Sequence, residues 1–245
     1  MFFKILIAIT ITFIAGFRSD GEETGRRFAL EVKKDHVKLI NGEMSVRTSP
    51  GKLTTYFTGP FGNFGSYGFR YPLAEIKVEA DTDEEKSVAL ISQVQHRKSK
   101  GGRSAVFTLK LTARANSPVI ELRAMMKNAG EYPAYGYFYY RLVGLKFPYY
   151  YDAEGWQYAG KPAIPVTDWL FLPSANTTGG YGLIPFNRKN VKITTLYPRG
   201  DWQKVGLYFS PEKKLLNIKP GETFSMGFMI FPAISQWQVC EHFEK

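Results

Sequence analysis

The sequence has 245 residues, of which 44% are hydrophobic and 16% are aromatic. This composition is that of a globular chain long enough to bury a large core, and it excludes an intrinsically disordered protein. The single cysteine, Cys240, excludes an intrachain disulfide, and the formal charge of +10 favours anionic partners such as acidic polysaccharide or anionic lipid.

The N-terminal segment has the pattern of an export signal. Lys4 precedes an apolar run over residues 5–15, and small residues and then a polar stretch follow. The run is shorter than the ~20 apolar residues of a transmembrane helix, although a retained membrane anchor is the alternative. We therefore predict a signal peptide over residues 1–17, a flexible leader over 18–27 and a single β-sandwich domain over 28–245. The mature protein is then expected to be secreted or to lie in the periplasm or cell envelope, away from nucleic acid and without an integral membrane segment.

From Phe28 onward the chain breaks into short runs of alternating apolar and polar residues, separated by Gly, Pro, Asn and Asp. No window keeps the 3.6-residue apolar repeat of a helix, so the chain is predicted to be all-β and to fold as a large antiparallel β-sandwich. The predicted strands cover Phe28–Val32, 36–40, Met44–Thr48, 53–57, 76–80, 87–96, 105–114, 119–127, 137–145, 169–172, 180–184, 191–197, 204–209 and 222–231.

The clearest hairpin joins residues 105–114 to residues 119–127. Apolar residues alternate with Thr, Lys and Arg along the first arm, and mainly with Glu and Arg along the second. Because successive side chains of a strand point to opposite faces, this pattern predicts one buried and one solvated face. Asn41-Gly42 indicates another tight turn, and the charged residues 81–85 are predicted to join two further strands.

No cofactor or metal site is predicted. The three histidines, His36, His96 and His242, are far apart in sequence, and neither HExxH nor a paired-cysteine spacing occurs. The stretch Asp81-Thr82-Asp83 resembles the beginning of a calcium-binding loop, but the later glycine and closing glutamate of that loop are missing. We interpret this stretch as a solvated hairpin tip.

The segment from Tyr132 to Trp169 is unusually rich in aromatic residues, with polar side chains between them. Sugars present apolar C–H faces ringed by hydroxyls, so a site for them combines flat rings with a few placed polar groups. Residues 149–161 are predicted to form a long loop, a common place for binding residues, whereas rings on strands are explained by core packing. Seven residues are predicted to contact an oligosaccharide or polysaccharide: Tyr149, Tyr151, Glu154, Trp156, Tyr158, Asp168 and Trp169.

Three stretches resemble a known family. Residues 107–130 resemble a hairpin of the galactose-mutarotase-like supersandwich, in which a short Ser-Pro turn leads into a strand that ends at an Asn. Residues 217–232, which begin NIKPGE, resemble the final strand of that architecture, and residues 179–193 resemble its glycine-aromatic-glycine segment. The resemblance implies a large antiparallel sandwich that handles carbohydrate, as in aldose epimerases, polysaccharide lyases and accessory domains of glycoside hydrolases.

The sequence departs from the epimerase pattern of this family. Epimerases use histidines together with a late glutamate as an acid–base pair around the ring oxygen. Here no histidine lies between His96 and His242, and Glu222 lies in the Pro-Gly-Glu turn. Epimerase activity is therefore not predicted.

Two functions fit both the aromatic segment and the positive charge. A glycan-binding or accessory protein without catalysis needs only the aromatic rings and a polar rim. A lyase acting on an acidic polysaccharide needs a base next to the uronate carboxylate and a cation that stabilises the enolate. Tyr150 or His96 are candidates for that base, and Arg141 or Lys146 are candidates for the cation.

Two further functions are also open. Hydrolysis by a pair of carboxylates would use Glu154 and Asp168, which lie close to aromatic residues in sequence. A structural envelope protein would use all of its aromatic residues in the core. From these alternatives we predict a secreted carbohydrate-binding protein for an acidic polysaccharide.

Overall fold

The computed structural model describes residues 27–67, 71–95, 104–136, 140–145, 147, 149–158, 165–166, 168–175, 177–186, 191–196, 205–211 and 216–244. These residues form twenty β-strands and one α-helix. In chain order they are β1 (Phe28–Val32), β2 (Val37–Asn41), β3 (Met44–Thr48), β4 (Thr55–Thr58), β5 (Phe64–Tyr67), β6 (Glu75–Asp81), β7 (Glu85–Gln95), β8 (Ser104–Arg114), β9 (Ile120–Asn128), β10 (Ala134–Gly136), β11 (Tyr140–Leu145), β12 (Tyr149–Asp152), β13 (Gly155–Tyr158), β14 (Pro165–Val166), β15 (Leu170–Pro173), β16 (Gly180–Pro185), β17 (Val191–Leu196), β18 (Val205–Pro211), β19 (Leu216–Ile218), β20 (Thr223–Ala233) and α1 (Gln236–Glu244).

Eighteen of the described strands form two antiparallel sheets of nine strands each. Sheet A has the order β1-β2-β3-β4-β5-β11-β18-β17-β14, and sheet B has the order β13-β12-β15-β16-β20-β9-β8-β7-β6. Strands β10 and β19 form a separate antiparallel pair. The predicted all-β antiparallel sandwich is confirmed.

The faces that the two sheets turn toward each other are apolar and form one core. Sheet A contributes Leu39 and Val46 to this core, and sheet B contributes Leu109, Leu122 and Phe228, all of them fully buried. Because strand side chains alternate, the residues between them on sheet B point to the opposite side, which we call the outer face. Burial of this apolar surface, at roughly 25 cal/mol per Å², is the main source of stability.

Helix α1 covers the middle of the outer face, over β15, β16 and β20. Its fully buried Val239 packs in a second apolar cluster with Phe171, Ile184 and Phe231. Gly182 permits this approach, since a Cβ there would lie 2.7 Å from the Phe231 ring and 2.8 Å from Val239. The helix therefore divides the outer face into one part over β12 and β13 and another over β6 to β9.

A tyrosine on the inner face of β16 fastens the loop that precedes β5. The Tyr181 hydroxyl donates a hydrogen bond to the Gly62 carbonyl oxygen at 2.7 Å and accepts one from the Phe61 amide at 3.3 Å. Gly59 leaves room for this hydroxyl, because a Cβ there would lie 2.6 Å from the oxygen. Burial of the ring raises the pKa of Tyr181 to about 12.

Most of the predicted strands are confirmed, with ends displaced by one or two residues. The clearest predicted hairpin is β8–β9, and Asn41-Gly42 forms the tight turn between β2 and β3, where Gly42 has a φ of 62°. The hairpin tip between β6 and β7 is held by the Thr82 hydroxyl, which accepts hydrogen bonds from the Glu84 and Glu85 amides. Strands β5, β10, β14 and β19 are not predicted by the sequence pattern.

The predicted long loop over 149–161 is wrong over its described part. Residues 149–158 form the tight hairpin β12–β13, which turns between Asp152 and Gly155, and Gly155 has a φ of 107°. Four-residue strands made almost wholly of Tyr, Trp, Gln and Asp are too short and too uniform to show apolar alternation. Tyrosine and tryptophan nevertheless favour strands, which is the physical reason for the correction.

The helix α1 is not predicted by the sequence pattern. Val239 is the one fully buried residue of α1, so the helix has too few core positions to show a 3.6-residue apolar repeat in the sequence. At nine residues this helix is much shorter than a bilayer crossing requires, and the described ranges contain no longer helix.

Several predictions fall on residues that the structure does not describe. They are the signal peptide over residues 1–17, the leader up to residue 26, strand residues 137–139, and two candidate catalytic residues, His96 and Lys146.

Candidate functional site

Three aromatic side chains of the β12–β13 hairpin lie together on the outer face of sheet B. Trp156 is directly opposite Tyr151 in the strand pairing, and both point to the same side as Tyr149. The centroid of the Tyr149 ring is 5.9 Å from that of Tyr151 and 5.9 Å from that of Trp156. We call these three residues the aromatic strip.

The aromatic strip is open to solvent on one side and packed on the other. Trp156 is 54% exposed, whereas Tyr149 and Tyr151 are half-buried. The Tyr151 ring lies 6.1 Å from Phe171 on the neighbouring strand β15, centroid to centroid. The strip therefore continues the apolar cluster beneath α1 out to the edge of the sheet, where a flat ligand can reach it.

The remaining predicted contact residues lie in different environments. Trp169 is only 7% exposed and belongs to the cluster beneath α1, so it supports the strip from within the protein. Tyr158 occupies the strand position opposite Tyr149, although its side chain is outside the described part of the chain. Glu154 is exposed at the hairpin turn, and Asp168 is half-buried just before β15. The structure thus brings Tyr149, Tyr151 and Trp156 together on one surface and buries Trp169 in the neighbouring apolar cluster.

The hairpin turn is fixed by a buried carboxylate. Asp152 is 6% exposed, and its Oδ1 accepts a hydrogen bond from the Glu154 amide at 2.9 Å. An aspartate bonded to the amide two residues later holds a turn in place of a backbone bond. The rings of the aromatic strip are therefore set on a short, rigid hairpin rather than on a long loop.

The described candidate catalytic residues lie apart from the strip. Tyr150, between Tyr149 and Tyr151, points the other way into the core between the sheets and is 2% exposed. Arg141 is on β11 of sheet A, opposite Tyr208, and its side chain is outside the described residues. Burial among apolar side chains gives Tyr150 a packing role, since a base must reach the proton that it removes.

The described histidines and the late glutamate contact residues outside the strip. The His36 Nδ1 lies 2.7 Å from the Asp35 carboxylate, and the His242 ring stacks on Phe231. Glu222 caps its own turn, because its Oε2 accepts a hydrogen bond from the Lys219 amide at 2.8 Å. In the described ranges no three His, Cys, Asp or Glu side chains form a group that could hold a metal ion.

A second concave region lies on the outer face over β6 to β9, and sequence reasoning did not identify it. We call it the charged groove; it has a volume of about 360 Å³. Its lining consists of three cations, three carboxylates, a threonine and a methionine: Lys110, Arg114, Arg123, Glu79, Glu85, Glu121, Thr112 and Met125.

Most of the charges in the groove are paired with one another. The Lys110 Nζ lies 2.6 Å from the Glu79 carboxylate, and the Arg114 Nε lies 3.3 Å from the Glu85 carboxylate. Arg114 also forms a salt bridge with Glu121, and this hydrogen bond raises the pKa of Arg114 above its ordinary value. These pairs hold the side chains that form the walls of the groove.

The hairpin register could have revealed part of the charged groove. Lys110 and Arg123 both lie on the solvated faces of the predicted hairpin, and counting outward from the Ser-Pro turn places them opposite each other. Glu79, the carboxylate that pairs with Lys110, is on β6. This strand reaches the groove only because it lies next to β7 at the edge of sheet B. A single sequence does not contain that information.

Comparison with known proteins gives matches only among solved structures. No protein-family model matches the chain, and no curated protein matches it. A candidate aldose 1-epimerase from Klebsiella pneumoniae subsp. pneumoniae matches at 10% identity with a TM-score of 0.60, covering 85% of this chain and 82% of that chain. An α-N-acetylgalactosaminidase from Bifidobacterium bifidum matches at 10% identity with a TM-score of 0.57, covering 84% of this chain and 38% of that chain.

A protein from Synechocystis sp. also matches, at 10% identity and with a TM-score of 0.50, covering 87% of this chain and 99% of that chain. Identities this low show a shared fold. The predicted resemblance to the galactose-mutarotase-like sandwich is confirmed at that level.

Proposed function

We propose that this chain, which has the galactose-mutarotase-like fold, is an exported protein that binds carbohydrate through its aromatic strip. The observation that carries the proposal is the 54% exposure of Trp156 beside the Tyr149 ring on a fixed hairpin. A large indole held open to solvent exposes apolar surface without any stabilising role in the core. Such a ring is suited to the apolar C–H face of a sugar.

The geometry of the strip favours binding over a purely structural role. If all aromatic residues served the core, Trp156 would be buried as Trp169 is, at 7% exposure. The exposed carboxylate of Glu154 at the turn adds a hydrogen-bond acceptor beside the rings. Aromatic floors with a few polar groups at the rim are the usual construction of a small-ligand site.

We further propose that the glycan is acidic and that the protein is exported. The formal charge of +10 favours an anionic polysaccharide over a neutral one, through long-range attraction. The solved structures with the same fold include a candidate aldose 1-epimerase and an α-N-acetylgalactosaminidase, which are named for sugar chemistry. The pattern of Met1 to Gly16 supports export, so that the protein would meet glycans outside the cytoplasm.

Two tryptophans of the same region provide a matched test. Trp156→Ala is expected to weaken binding to glycans by about tenfold or more, since it removes the main exposed contact surface. Its free energy of unfolding should change by less than about 1 kcal/mol. Trp169→Ala should instead lower the free energy of unfolding by about 3–5 kcal/mol, because it leaves a cavity beneath α1.

The measurement is calorimetric titration of both variants with a panel of neutral and acidic oligosaccharides, alongside urea denaturation. Ultraviolet absorbance of the same mixtures reports unsaturated uronates, which only lyase chemistry releases. Unchanged glycan affinity in a folded Trp156→Ala variant would rule out the aromatic strip as the binding surface.

A further inference from the structure

The charged groove contains two cations that face each other across a strand pair. Lys110 of β8 is directly opposite Arg123 of β9, and both side chains point to the outer face. Like charges at directly opposite positions of an antiparallel pair destabilise the sheet. A neighbouring negative charge relieves this repulsion.

Only one of the two cations has such a partner within the described residues. Lys110 is neutralised by the Glu79 carboxylate at 2.6 Å, and Arg114 is held by two other carboxylates of the groove. Within the described ranges, Arg123 has no carboxylate oxygen within 4.0 Å, so its guanidinium forms no ion pair there. The groove as a whole thus presents one guanidinium whose donors are not used in an ion pair.

The unpaired guanidinium is held in position by an aromatic ring. The Arg123 Cζ lies 4.9 Å from the centroid of Phe186, within the range of a cation–π contact. Phe186 is tied to the neighbouring strand, since its amide donates a hydrogen bond to the Gly227 carbonyl oxygen at 2.8 Å. Gly227 leaves space for the ring, because a Cβ there would lie 2.9 Å from the Phe186 Cδ2.

An arginine stacked on a ring still has the N–H donors along its edge, and their planar geometry matches a carboxylate. The rest of the groove offers acceptors for hydroxyl groups on Glu79, Glu85 and Glu121. Its volume of about 360 Å³ falls at the small end of ligand pockets, which suits one sugar ring. A ligand with a single carboxylate and several hydroxyls satisfies each of these features.

We infer that the charged groove is a second binding site, separate from the aromatic strip, in which Arg123 holds the carboxylate of a uronic acid. The sugar part of this inference rests on the proposed function, whereas the anion contact depends only on the groove. The site takes one acidic residue, either as a free monosaccharide or as a unit of a polysaccharide chain.

The test uses four probes: glucuronate, a uronate oligosaccharide, methyl glucoside as a neutral sugar, and inorganic phosphate. Binding of each to the full chain is measured by calorimetry at low salt. Arg123→Gln should weaken binding of glucuronate by about 10- to 100-fold, because a charge-assisted bidentate contact is lost. The glucuronate affinity of Arg123→Lys should lie between that of the unmodified chain and that of Arg123→Gln, because a lysine keeps the charge but not the paired donors.

Arg47→Gln is the matched control. Arg47 is also exposed on a strand and lies over a tyrosine ring, 5.2 Å from the centroid of Tyr56, but it belongs to sheet A. Its loss removes the same charge without touching the groove, so glucuronate binding should stay within about twofold of the unmodified chain. Thermal denaturation of the variants checks that they are folded.

Each outcome decides the inference. A glucuronate affinity that falls in Arg123→Gln and not in Arg47→Gln supports the inference. An equal loss of affinity for the uronate oligosaccharide shows that the site takes a unit of a polymer chain. Equal losses in the two variants, or phosphate binding as tightly as glucuronate, would overturn it. Loss of glycan binding in Trp156→Ala leaves the Arg123 result unaffected, so the failure of one site is distinguishable from the failure of the other.

Discussion

The two parts of the outer face of sheet B differ in how their side chains are stabilised. In the aromatic strip, Tyr149, Tyr151 and Trp156 contact one another and the apolar cluster beneath α1. In the charged groove, salt bridges such as that between Lys110 and Glu79 fix the side chains. One region therefore presents apolar surface that is held by packing, and the other presents charge that is held by ion pairs.

Under the proposed function, the two regions would recognise different features of a glycan. Ring stacking uses the C–H face and is insensitive to charge, whereas a guanidinium selects a carboxylate. The helix α1 keeps the two chemistries apart, because it covers β15, β16 and β20 between them. The following predictions test whether the two regions are as independent as their construction indicates.

The largest effect is expected from removing the contact that seats α1. Phe231→Ala should lower the free energy of unfolding by about 3–5 kcal/mol, since Phe231 is fully buried against Val239 and the His242 ring. Urea denaturation measures this change. Trp237→Ala on the same helix is the control, because Trp237 is 70% exposed and its loss should cost less than about 0.5 kcal/mol.

At temperatures where the Phe231→Ala variant remains folded, the two regions should keep their separate affinities. Glucuronate binding that disappeared while the variant was still folded would mean that α1 shapes the groove directly. The conclusion that the strip and the groove are independent would then be wrong.

A smaller effect is expected at high pH from the inner face of the same sheet. The pKa of Tyr181 is raised to about 12, so below pH 10 its phenol is protonated in both the folded and the unfolded chain. Between pH 10 and about 12 only the unfolded chain loses this proton, and the free energy of unfolding falls by about 1.4 kcal/mol per pH unit. The free energy of unfolding is measured at several pH values for the wild type and for Tyr181→Phe. The difference between them separates the contribution of Tyr181 from that of other tyrosines and lysines.

Tyr181 is on β16, which lies between the two regions in the strand order of sheet B, so its ionisation should weaken the strip and the groove together. A loss of affinity in one region alone would show that β16 does not hold them as one rigid sheet. If wild type and Tyr181→Phe had equal slopes above pH 10, burial would not govern the titration of this residue.

The smallest effect is expected from salt. Raising the ionic strength from about 0.05 M to 0.5 M shortens the screening length to a few ångströms, so glucuronate binding should weaken by about threefold. Binding of methyl glucoside or a neutral oligosaccharide to the aromatic strip should not change measurably. Calorimetry at both salt concentrations makes the comparison, and an equal salt dependence for both ligands would contradict the assignment of separate chemistries.

The sequence predicts those parts of the fold that are long and alternating. The sequence places β8 and β9 to within one residue at each end, because long runs in which apolar and polar residues largely alternate leave little choice of element. The β12–β13 hairpin was missed because its strands have four residues each. The aromatic composition of residues 149–158 instead predicts a loop, where the structure has a hairpin.

The two regions of the outer face differ in how far the sequence reveals them. Tyr149, Tyr151 and Trp156 are neighbours in sequence, so their composition alone indicated a common surface. The groove combines Glu79 with Lys110 and Arg123, which are separated by whole strands and are brought together by sheet order. Likewise, the burial of Tyr150 and Trp169 depends on which face the opposite sheet and α1 cover.

The position of β20 has a consequence for how the chain reaches its folded state. Although β20 follows every other strand in sequence, it lies in the middle of sheet B, between β16 and β9. Its pairing with β9 joins residues as distant as Ile120 and Ile230, so closure is slow relative to local hairpins. During synthesis, strands β6 to β9 and strands β12, β13, β15 and β16 of sheet B therefore keep unpaired edges until β20 has been made, and only then can they join into one sheet.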